Sequence, residues 1–220
     1  YDGYQDELQQ FDPIRGAGAN FVSNADGITN TGFEIELYYA ATDRLTLSGN
    51  FSYTETEYGE DYFVFTVDDP INPVPVFGTF TQGFVSAQVT DPSQASDYTV
   101  NLKGGPLKGI PEEKATIRVS YEQDTRFGPL YYLLSHSYTG DFSASGIQRP
   151  LDRIDSRETT NLNISWYSQD GNLSLRAYVD NLFDNDNYYA LSTGDHETNY
   201  RKSVTALPPR VMGLDIRYRF

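Results

Sequence analysis

The sequence contains no cysteine and no apolar run long enough to form a membrane-spanning helix. The absence of cysteine excludes disulfide frameworks, thiol nucleophiles and cysteine metal sites. A spanning helix needs about 20 consecutive apolar residues, so a helical membrane protein is excluded as well. Mean hydropathy is -0.53. These absences leave β-structure open, because strands that alternate polar and apolar residues have an average hydropathy like that of a soluble protein.

Basic residues and catalytic motifs are also scarce. The chain has 16 Lys and Arg against 31 Asp and Glu, for a net charge of -15. A nucleic-acid binder needs a basic surface to displace counterions, so nucleic acid is not an expected partner. The chain lacks a Gly-Lys-Ser/Thr phosphate loop, a Gly-x-Ser-x-Gly elbow and a His-Glu-x-x-His zinc motif. We therefore expect no enzyme activity, no cofactor and no metal site.

Tyrosine, by contrast, is abundant. The chain has 18 Tyr, 13 Phe and 1 Trp, which together make up 15% of the residues. Tyr combines an apolar ring with a hydroxyl group, a combination that suits membrane–water interfaces. A soluble aromatic-rich β-sandwich would have a similar composition. The choice between the two therefore depends on how the residues are patterned.

A period-two alternation of apolar and polar residues predicts a series of β-strands. In 32–40, for example, Phe33 and Ile35 alternate with Glu34 and Glu36. The predicted strands are 32–40, 44–56, 113–123, a weaker 129–139, 158–168, 173–183 and 210–220, with an incomplete strand in 1–10. That makes about eight strands, each near the roughly ten residues that a tilted membrane strand requires.

The predicted connections alternate between short and long. The short ones are 41–43, 124–128 and 169–172, and the long ones are 11–28, 57–112, 140–157 and 184–208. Short turns on one side and long loops on the other are typical of an outer-membrane barrel. A soluble sandwich has no reason to keep this alternation. The pattern therefore predicts an all-β, antiparallel transmembrane β-barrel.

The last predicted strand has a pattern of its own, in which every second residue is apolar up to the final position. These residues are Met212, Leu214, Ile216, Tyr218 and Phe220. The pattern resembles the C-terminal signature of bacterial outer-membrane proteins, which the barrel-assembly machinery reads. We expect an integral protein of the bacterial outer membrane, with that machinery, lipopolysaccharide and outer-membrane lipid as partners.

Four further motifs, in the expected order along the chain, resemble those of TonB-dependent outer-membrane receptors. The most specific one resembles the Asn-Leu-Phe-Asp motif of the penultimate strand and is followed by two tyrosines. The others resemble a Gly-x-Glu-x-Glu strand, a Gly-x-Pro segment and the Pro-Arg that opens the last strand. The residues concerned are Asn181, Leu182, Phe183, Asp184, Tyr188 and Tyr189; Gly32, Glu34 and Glu36; Gly109 and Pro111; and Pro209 and Arg210.

The resemblance implies a barrel of about 22 strands whose lumen is plugged by an N-terminal globular domain. Residues 1–220 would then be the C-terminal part of that barrel, about its last eight strands, with the plug and earlier strands absent. It also implies active transport of a scarce large solute, such as a ferric siderophore, with TonB-coupled energy. The implied partners are the TonB complex, through the missing plug, and an extracellular small-molecule or oligomeric ligand.

The 57–112 loop is the first candidate for ligand binding, because long ordered loops tend to be functional. Its aromatic side chains could hold a large solute by stacking, or could pack among themselves to order the loop. A histidine in another long loop is a further candidate. The candidate residues are Tyr58, Tyr62, Phe63, Phe65, Phe77, Phe80, Phe84 and His196.

Two other classes of protein stay open at this stage. One is a self-contained eight-stranded outer-membrane barrel with a structural or adhesive role, since eight is a permitted strand number. The other is a soluble acidic β-protein, such as a carbohydrate-binding module. The order of the motifs argues against the first class, and the loop lengths argue against the second.

Overall fold

The computed structural model describes residues 2–11, 20–65, 99–146, 150–193 and 201–220. These residues form strands, together with a short 3-10 helix at Pro150–Asp152. The strands are β1 (Asp2–Phe11), β2 (Asn20–Ala40), β3 (Leu45–Tyr58), β4 (Phe63–Phe65), β5 (Thr99–Asn101), β6 (Glu113–Gln123), β7 (Leu130–Thr139), β8 (Phe142–Ser143), β9 (Arg153–Ile154), β10 (Arg157–Tyr167), β11 (Leu173–Asp180), β12 (Tyr188–Thr193), β13 (Lys202–Ala206) and β14 (Val211–Tyr218). In the described ranges, no helix is long and apolar enough to cross a membrane.

Eight of the strands form one antiparallel sheet in the order β1-β2-β3-β6-β7-β10-β11-β14. Neighbours in the sheet follow one another along the chain, apart from short strands that pair within the long connections. Those pairs are β4–β5, β8–β9 and β12–β13. The all-β antiparallel prediction, with about eight strands, is confirmed. The sheet is open, since β1 and β14 lie at its edges and do not pair with each other in the described residues.

Most strand boundaries lie close to the predicted ones, and 113–123 coincides with β6. The largest difference is at β2, which begins at Asn20 although the alternation predicted a start at 32. The extra residues pair on both sides: Phe21 with Gln10 of β1, and Ile28 with Tyr58 of β3. The segment thus forms a strand by pairing with two neighbours, although its Asn, Asp and Gly residues disfavour β-structure.

Cross-strand pairing divides the sheet into an apolar face and a polar face, because directly opposite residues point the same way. On the apolar face, Leu47 of β3 lies between Tyr39 of β2 and Val119 of β6. On the polar face, Ser48 lies between Tyr38 and Arg118. The apolar face includes Phe33, Ile35, Leu37, Phe51, Ile117, Leu134, Leu162, Ile164, Ala177, Val179, Met212, Leu214 and Ile216.

The apolar face is uncovered. Leu37 is 61% exposed, Met212 70% and Ile216 67%. The buried hydrophobic residues in the described segments are only Tyr58, Tyr62, Leu102 and Ile154. A soluble sandwich would cover such a face with a second sheet, and an uncovered apolar surface of this extent is typical of contact with lipid or protein. The arrangement therefore does not support the soluble alternative.

The register also explains why the sequence pattern of β7 is weak. Tyr131 and Leu133 lie on the polar face, opposite Ser165 and Asn163 of β10. His136 lies on the apolar face, where its Nδ1 is 2.8 Å from Thr160 Oγ1. Both faces of β7 are therefore mixed, and the alternation is blurred accordingly.

Short turns lie at one end of the sheet, which we call the short-turn end, and the longer connections lie at the long-loop end. In the 168–172 turn, Asp170 accepts hydrogen bonds from the Ser168 hydroxyl at 2.5 Å and the Asn172 N–H at 3.2 Å. The Ser168 hydrogen bond, followed by that of Asn172, holds the pKa of Asp170 below its usual value. The apolar face carries interfacial aromatic residues near the short-turn end: Tyr39, Tyr121, Tyr132, Trp166 and Tyr218.

Candidate functional site at the long-loop end

After β5 the chain folds back alongside the end of β3. The Leu107 N–H donates to Thr56 Oγ1 at 3.0 Å, and the Gly104 N–H donates to the Tyr58 carbonyl at 2.8 Å. In the other direction, the Tyr58 N–H donates to the Gly105 carbonyl at 3.1 Å. The base of the long 59–112 connection is therefore fixed to the end of the sheet.

Two of the predicted ligand-binding aromatic residues form a small core at this base. The rings of Tyr58 and Tyr62 are stacked, with centroids 5.6 Å apart and planes inclined by 13°. They are 3% and 8% exposed and pack with Leu102, with Ile28 and Leu107 beside them. This packing matches the alternative in which the aromatic residues order the loop. Their contact with a solute stays a prediction.

The other candidates in this loop and the histidine are placed differently. Phe63 and Phe65 lie in β4, opposite Asn101 and Thr99 of β5. Phe77, Phe80, Phe84 and His196 lie outside the described residues. The ligand-binding role of all these residues therefore stays a prediction as well.

A hydrogen-bonded bridge closes the base of the β4–β5 ladder. Asn101 Nδ2 donates to Asp61 Oδ1 at 2.9 Å, and Asn101 Oδ1 accepts from the backbone N–H groups of Tyr62 and Lys103 at 3.1 Å each. Lys103 Nζ lies 3.5 Å from Asp61 Oδ1. The Asn101 hydrogen bond, followed by the charge of Lys103, lowers the pKa of Asp61 from its ordinary value.

A cavity of about 600 Å³ opens between the 106–113 segment and the β8–β9 pair. Sequence reasoning did not identify it. Gly109 and Pro111 were singled out as a motif, but the motif does not indicate that the Gly109 N–H donates to the Ser143 carbonyl at 2.8 Å. The lining consists of Pro106, Leu107, Ile110, Glu112, Glu113, Tyr138, Gly140, Asp141, Phe142, Ser143, Pro150 and Arg153.

The Asn-Leu-Phe-Asp motif ties the last two strands of the sheet together. Asn181 is 4% exposed and adopts a φ of 51°, in the left-handed region that Asn tolerates. Its side-chain N–H₂ donates to the carbonyls of Asn185 at 2.8 Å and Pro208 at 3.0 Å, and its Oδ1 accepts from the Asn185 N–H at 3.0 Å. The exit from β11 and the approach to β14 are thereby joined.

The remaining motif residues extend this connection. Asp184, with a φ of 58°, accepts from the Arg210 N–H at 2.8 Å, and the Leu182 N–H donates to the Thr160 carbonyl at 2.7 Å. Phe183 is 67% exposed. The left-handed turn at Asn181 is the reason that β11 ends at Asp180, whereas the alternation predicted a strand to 183.

The polar face carries a charged cluster nearer the short-turn end. Arg176 Nε donates to Asn163 Oδ1 at 2.9 Å, and Arg176 Nη1 lies 3.6 Å from Asp215 Oδ2. The guanidinium group also lies over the Tyr178 ring, 5.0 Å from its centroid. Such a face requires water or a polar partner. In the described residues, no group of three or more His, Asp or Glu side chains is placed to hold a metal ion.

The C-terminal residues lie as the alternation predicted. Met212, Leu214, Ile216 and Tyr218 occupy the apolar face of β14, and the Phe220 ring meets Tyr218 edge-on at 5.0 Å. Their recognition by the barrel-assembly machinery stays a prediction.

An antiparallel meander with one apolar face, one polar face, short turns at one end and longer loops at the other has the architecture of a membrane β-barrel wall. Residues 1–182 match the family model for the TonB dependent receptor-like β-barrel. The chain belongs to the family of TonB-dependent receptor β-barrels, which confirms the resemblance inferred from its motifs. Members of this family are transport receptors of the outer membrane rather than enzymes.

Solved structures have the same fold. The siderophore receptor PiuA from Acinetobacter baumannii matches with a TM-score of 0.60 and 14% identity, over 98% of this chain and 25% of its own. The copper transporter OprC matches with a TM-score of 0.57 and 15% identity, over 100% and 28%. The ferripyoverdine receptor of the outer membrane of Pseudomonas aeruginosa matches with a TM-score of 0.56 and 12% identity, over 98% and 23%.

The chain therefore spans about a quarter of the length of these receptors. At such low identity, the likeness shows the fold alone. A comparison of the sequence with curated proteins finds no significant match.

Proposed function

We propose that residues 1–220 form the C-terminal strands of the barrel wall of a TonB-dependent outer-membrane receptor. In this proposal, earlier strands complete a barrel of about 22, and an N-terminal plug fills its lumen. The receptor binds a scarce large solute, such as a ferric siderophore, from outside. TonB, acting through the plug, then supplies the energy for import.

The observation that carries the proposal is the open eight-stranded sheet with two unlike faces. A self-contained eight-stranded barrel needs its first and last strands to pair, and its narrow interior is filled by side chains. Here β1 and β14 are at opposite edges of the sheet. Glu34, Glu36 and Arg118 are exposed on the polar face. An interior lined by such groups fits a wide barrel that holds a polar domain.

The function is tested by solute uptake in the source bacterium under iron limitation. Deletion of the gene for the full receptor should abolish uptake of one ⁵⁵Fe-labelled siderophore from a panel. Plasmid-borne full-length receptor should restore uptake, but not in a strain that lacks TonB. Restored uptake without TonB would contradict the energy coupling, and unchanged uptake of the whole panel would contradict a role in ferric siderophore import.

Membrane fractionation tests the placement of the chain. We expect it in the outer membrane, as part of a species far larger than the 24.8 kDa of these 220 residues. A heat-modifiable species of 24.8 kDa would instead support the small barrel with a structural or adhesive role. Photo-crosslinkers on the apolar face of β14 should capture the barrel-assembly machinery during biogenesis and lipopolysaccharide or lipid afterwards.

A further inference from the structure

The cavity at the long-loop end has two walls that are fixed to each other. The Gly109 N–H donates to the Ser143 carbonyl, and the Gly140 N–H donates to the Glu113 carbonyl, each at 2.8 Å. The 106–113 segment is also held to the sheet through Leu107 and Thr56. A volume of about 600 Å³ is typical of small-molecule sites in proteins. The cavity is therefore a preformed space rather than a gap between independent loops.

Part of its surface is apolar or aromatic. Leu107, Ile110 and Phe142 contribute hydrocarbon and ring surface, and Tyr138 contributes a second ring. All four residues are partly buried, so they are held in place while one side stays accessible. Such walls suit a compact apolar body. Aromatic rings also attract an organic cation through their negative faces.

The charges on the lining are predominantly negative. Among the described residues of the lining, Arg153 is the one cation, and its guanidinium lies 2.5 Å from Asp141. Glu112 and Glu113 have no ion-pair partner in the segments that the structure describes. Arg157 is close by, but its guanidinium lies over the Phe142 ring at 5.6 Å, and the residue is not part of the lining. The described part of the lining therefore has a net negative charge.

We infer that this cavity binds an organic cation, a protonated amine carried on a compact apolar body. The unpaired Glu112 and Glu113 attract the positive group and repel an anion, while Ile110 and Phe142 cover the apolar part. A bare divalent ion is not the occupant, because no group of three or more His, Asp or Glu side chains in the described residues is placed to hold one. The inference rests on the proposed function, since it names the chemical group by which the imported solute is recognised.

Binding is measured on the purified full-length receptor in amphipol, without any energy source. The probes are 4-fluorobenzylamine, 4-fluorobenzyl alcohol and 4-fluorophenylacetate, followed by ¹⁹F NMR line broadening at pH 7. We expect saturable broadening of the amine, with an affinity at least tenfold higher than that of the alcohol, and none for the acetate. Equal affinities for the amine and the alcohol would overturn the inference.

Variants assign the binding to this cavity. The double variant Glu112→Gln/Glu113→Gln should lower the amine affinity at least tenfold, to the level of the alcohol. The double variant Glu60→Gln/Asp155→Asn removes the same charge from exposed residues outside the lining and should leave the affinity unchanged. Ile110→Trp, which fills the cavity, should abolish binding of both the amine and the alcohol. Undiminished amine binding to the first double variant or to Ile110→Trp would overturn the inference.

The cavity assignment and the proposed function are contradicted by different results of the binding and uptake assays. Intact amine binding in a receptor without TonB-dependent uptake would contradict the proposed function and leave the chemistry of the cavity standing. Intact uptake by a receptor that does not bind the amine would contradict the cavity assignment alone.

Discussion

Apolar side chains are exposed on the sheet but buried at the long-loop end. Leu37, in the middle of the sheet, is 61% exposed, whereas Tyr58, at the end of β3, is 3% exposed. Both lie on regular strands that are paired on at least one side. The two regions are therefore built for different surroundings. The sheet leaves its apolar face uncovered, while the loop base gathers its few large apolar residues into a core.

Hydrogen bonding explains how both the exposed sheet and the loop base are stable. Within lipid, every backbone polar group needs a protein partner, and a sheet of consecutive antiparallel strands supplies one for each interior strand. Outside lipid, a connection has to be ordered by its own contacts. The stacked rings of Tyr58 and Tyr62 and the side-chain hydrogen bonds of Asn181 serve that purpose.

Charge is distributed unevenly between the two regions. On the polar face of the sheet, acidic and basic residues are balanced: Glu34, Glu36, Glu122, Asp180 and Asp215 against Lys114, Arg118, Arg157, Arg176 and Arg217. The 59–112 connection has seven acidic residues and two lysines. The 59–112 connection is therefore acidic, which favours cationic over anionic solutes at the long-loop end.

The largest effect is expected from a charge placed on the apolar face of the sheet. Leu134→Arg should lower the free energy of unfolding in a bilayer by about 2–4 kcal/mol, because Leu134 would face lipid. The matched control is Ser137→Arg, three residues further along β7 and on the polar face, where its cross-strand neighbours are Thr116 and Thr159. Urea titration of both variants in liposomes measures the difference. Equal losses would mean that the two faces do not have the assigned surroundings.

The next largest effect is expected at the loop base that Asn181 holds. Asn181→Ala removes three side-chain hydrogen bonds and puts a Cβ-bearing residue without a polar group in a left-handed conformation. We expect a loss of about 2–3 kcal/mol, from the lost hydrogen bonds of this side chain and from backbone strain. Asn181→Gly relieves the strain but not the lost hydrogen bonds and should cost less. A Gly variant as unstable as the Ala variant would argue against the strain contribution.

A smaller and more local effect is expected for the aromatic core of the long loop. Tyr58→Ala should destabilise the loop base by about 2 kcal/mol, below the range for a large core, because the cluster is small. Limited proteolysis of intact outer membranes should then cut the 59–112 connection faster. The control is Tyr38→Ala, since Tyr38 is 75% exposed on the sheet. Similar cleavage rates for both variants would show that Tyr58 does not order the loop.

The sequence predicts features that depend on local alternation, but not those that depend on contacts between distant residues. β6 was predicted in full because its residues alternate over their whole length and Pro111 precedes them. The first part of β2 was missed, because Phe21 and Ile28 become strand residues only through their partners on β1 and β3. The cavity could not be predicted either, since its walls meet through Gly109 and Ser143, which are far apart in sequence. The Asn181 motif was recognised, but its hydrogen bonds required the fold.

The smallest expected effect is a pH dependence confined to the base of the β4–β5 ladder. The folded pKa of Asp61 is lowered by the Asn101 hydrogen bond and by Lys103. A lowered folded pKa contributes stability that is present above the unfolded value of 3.8 and is lost as the pH falls through the folded pKa. Amide exchange at Lys103, corrected for its intrinsic rate, should therefore speed up as the pH falls below 3.8, while exchange in β6 stays constant. Asp61→Asn should abolish the pH dependence, because its amide does not titrate; a pH dependence that survives this substitution would assign it to another group.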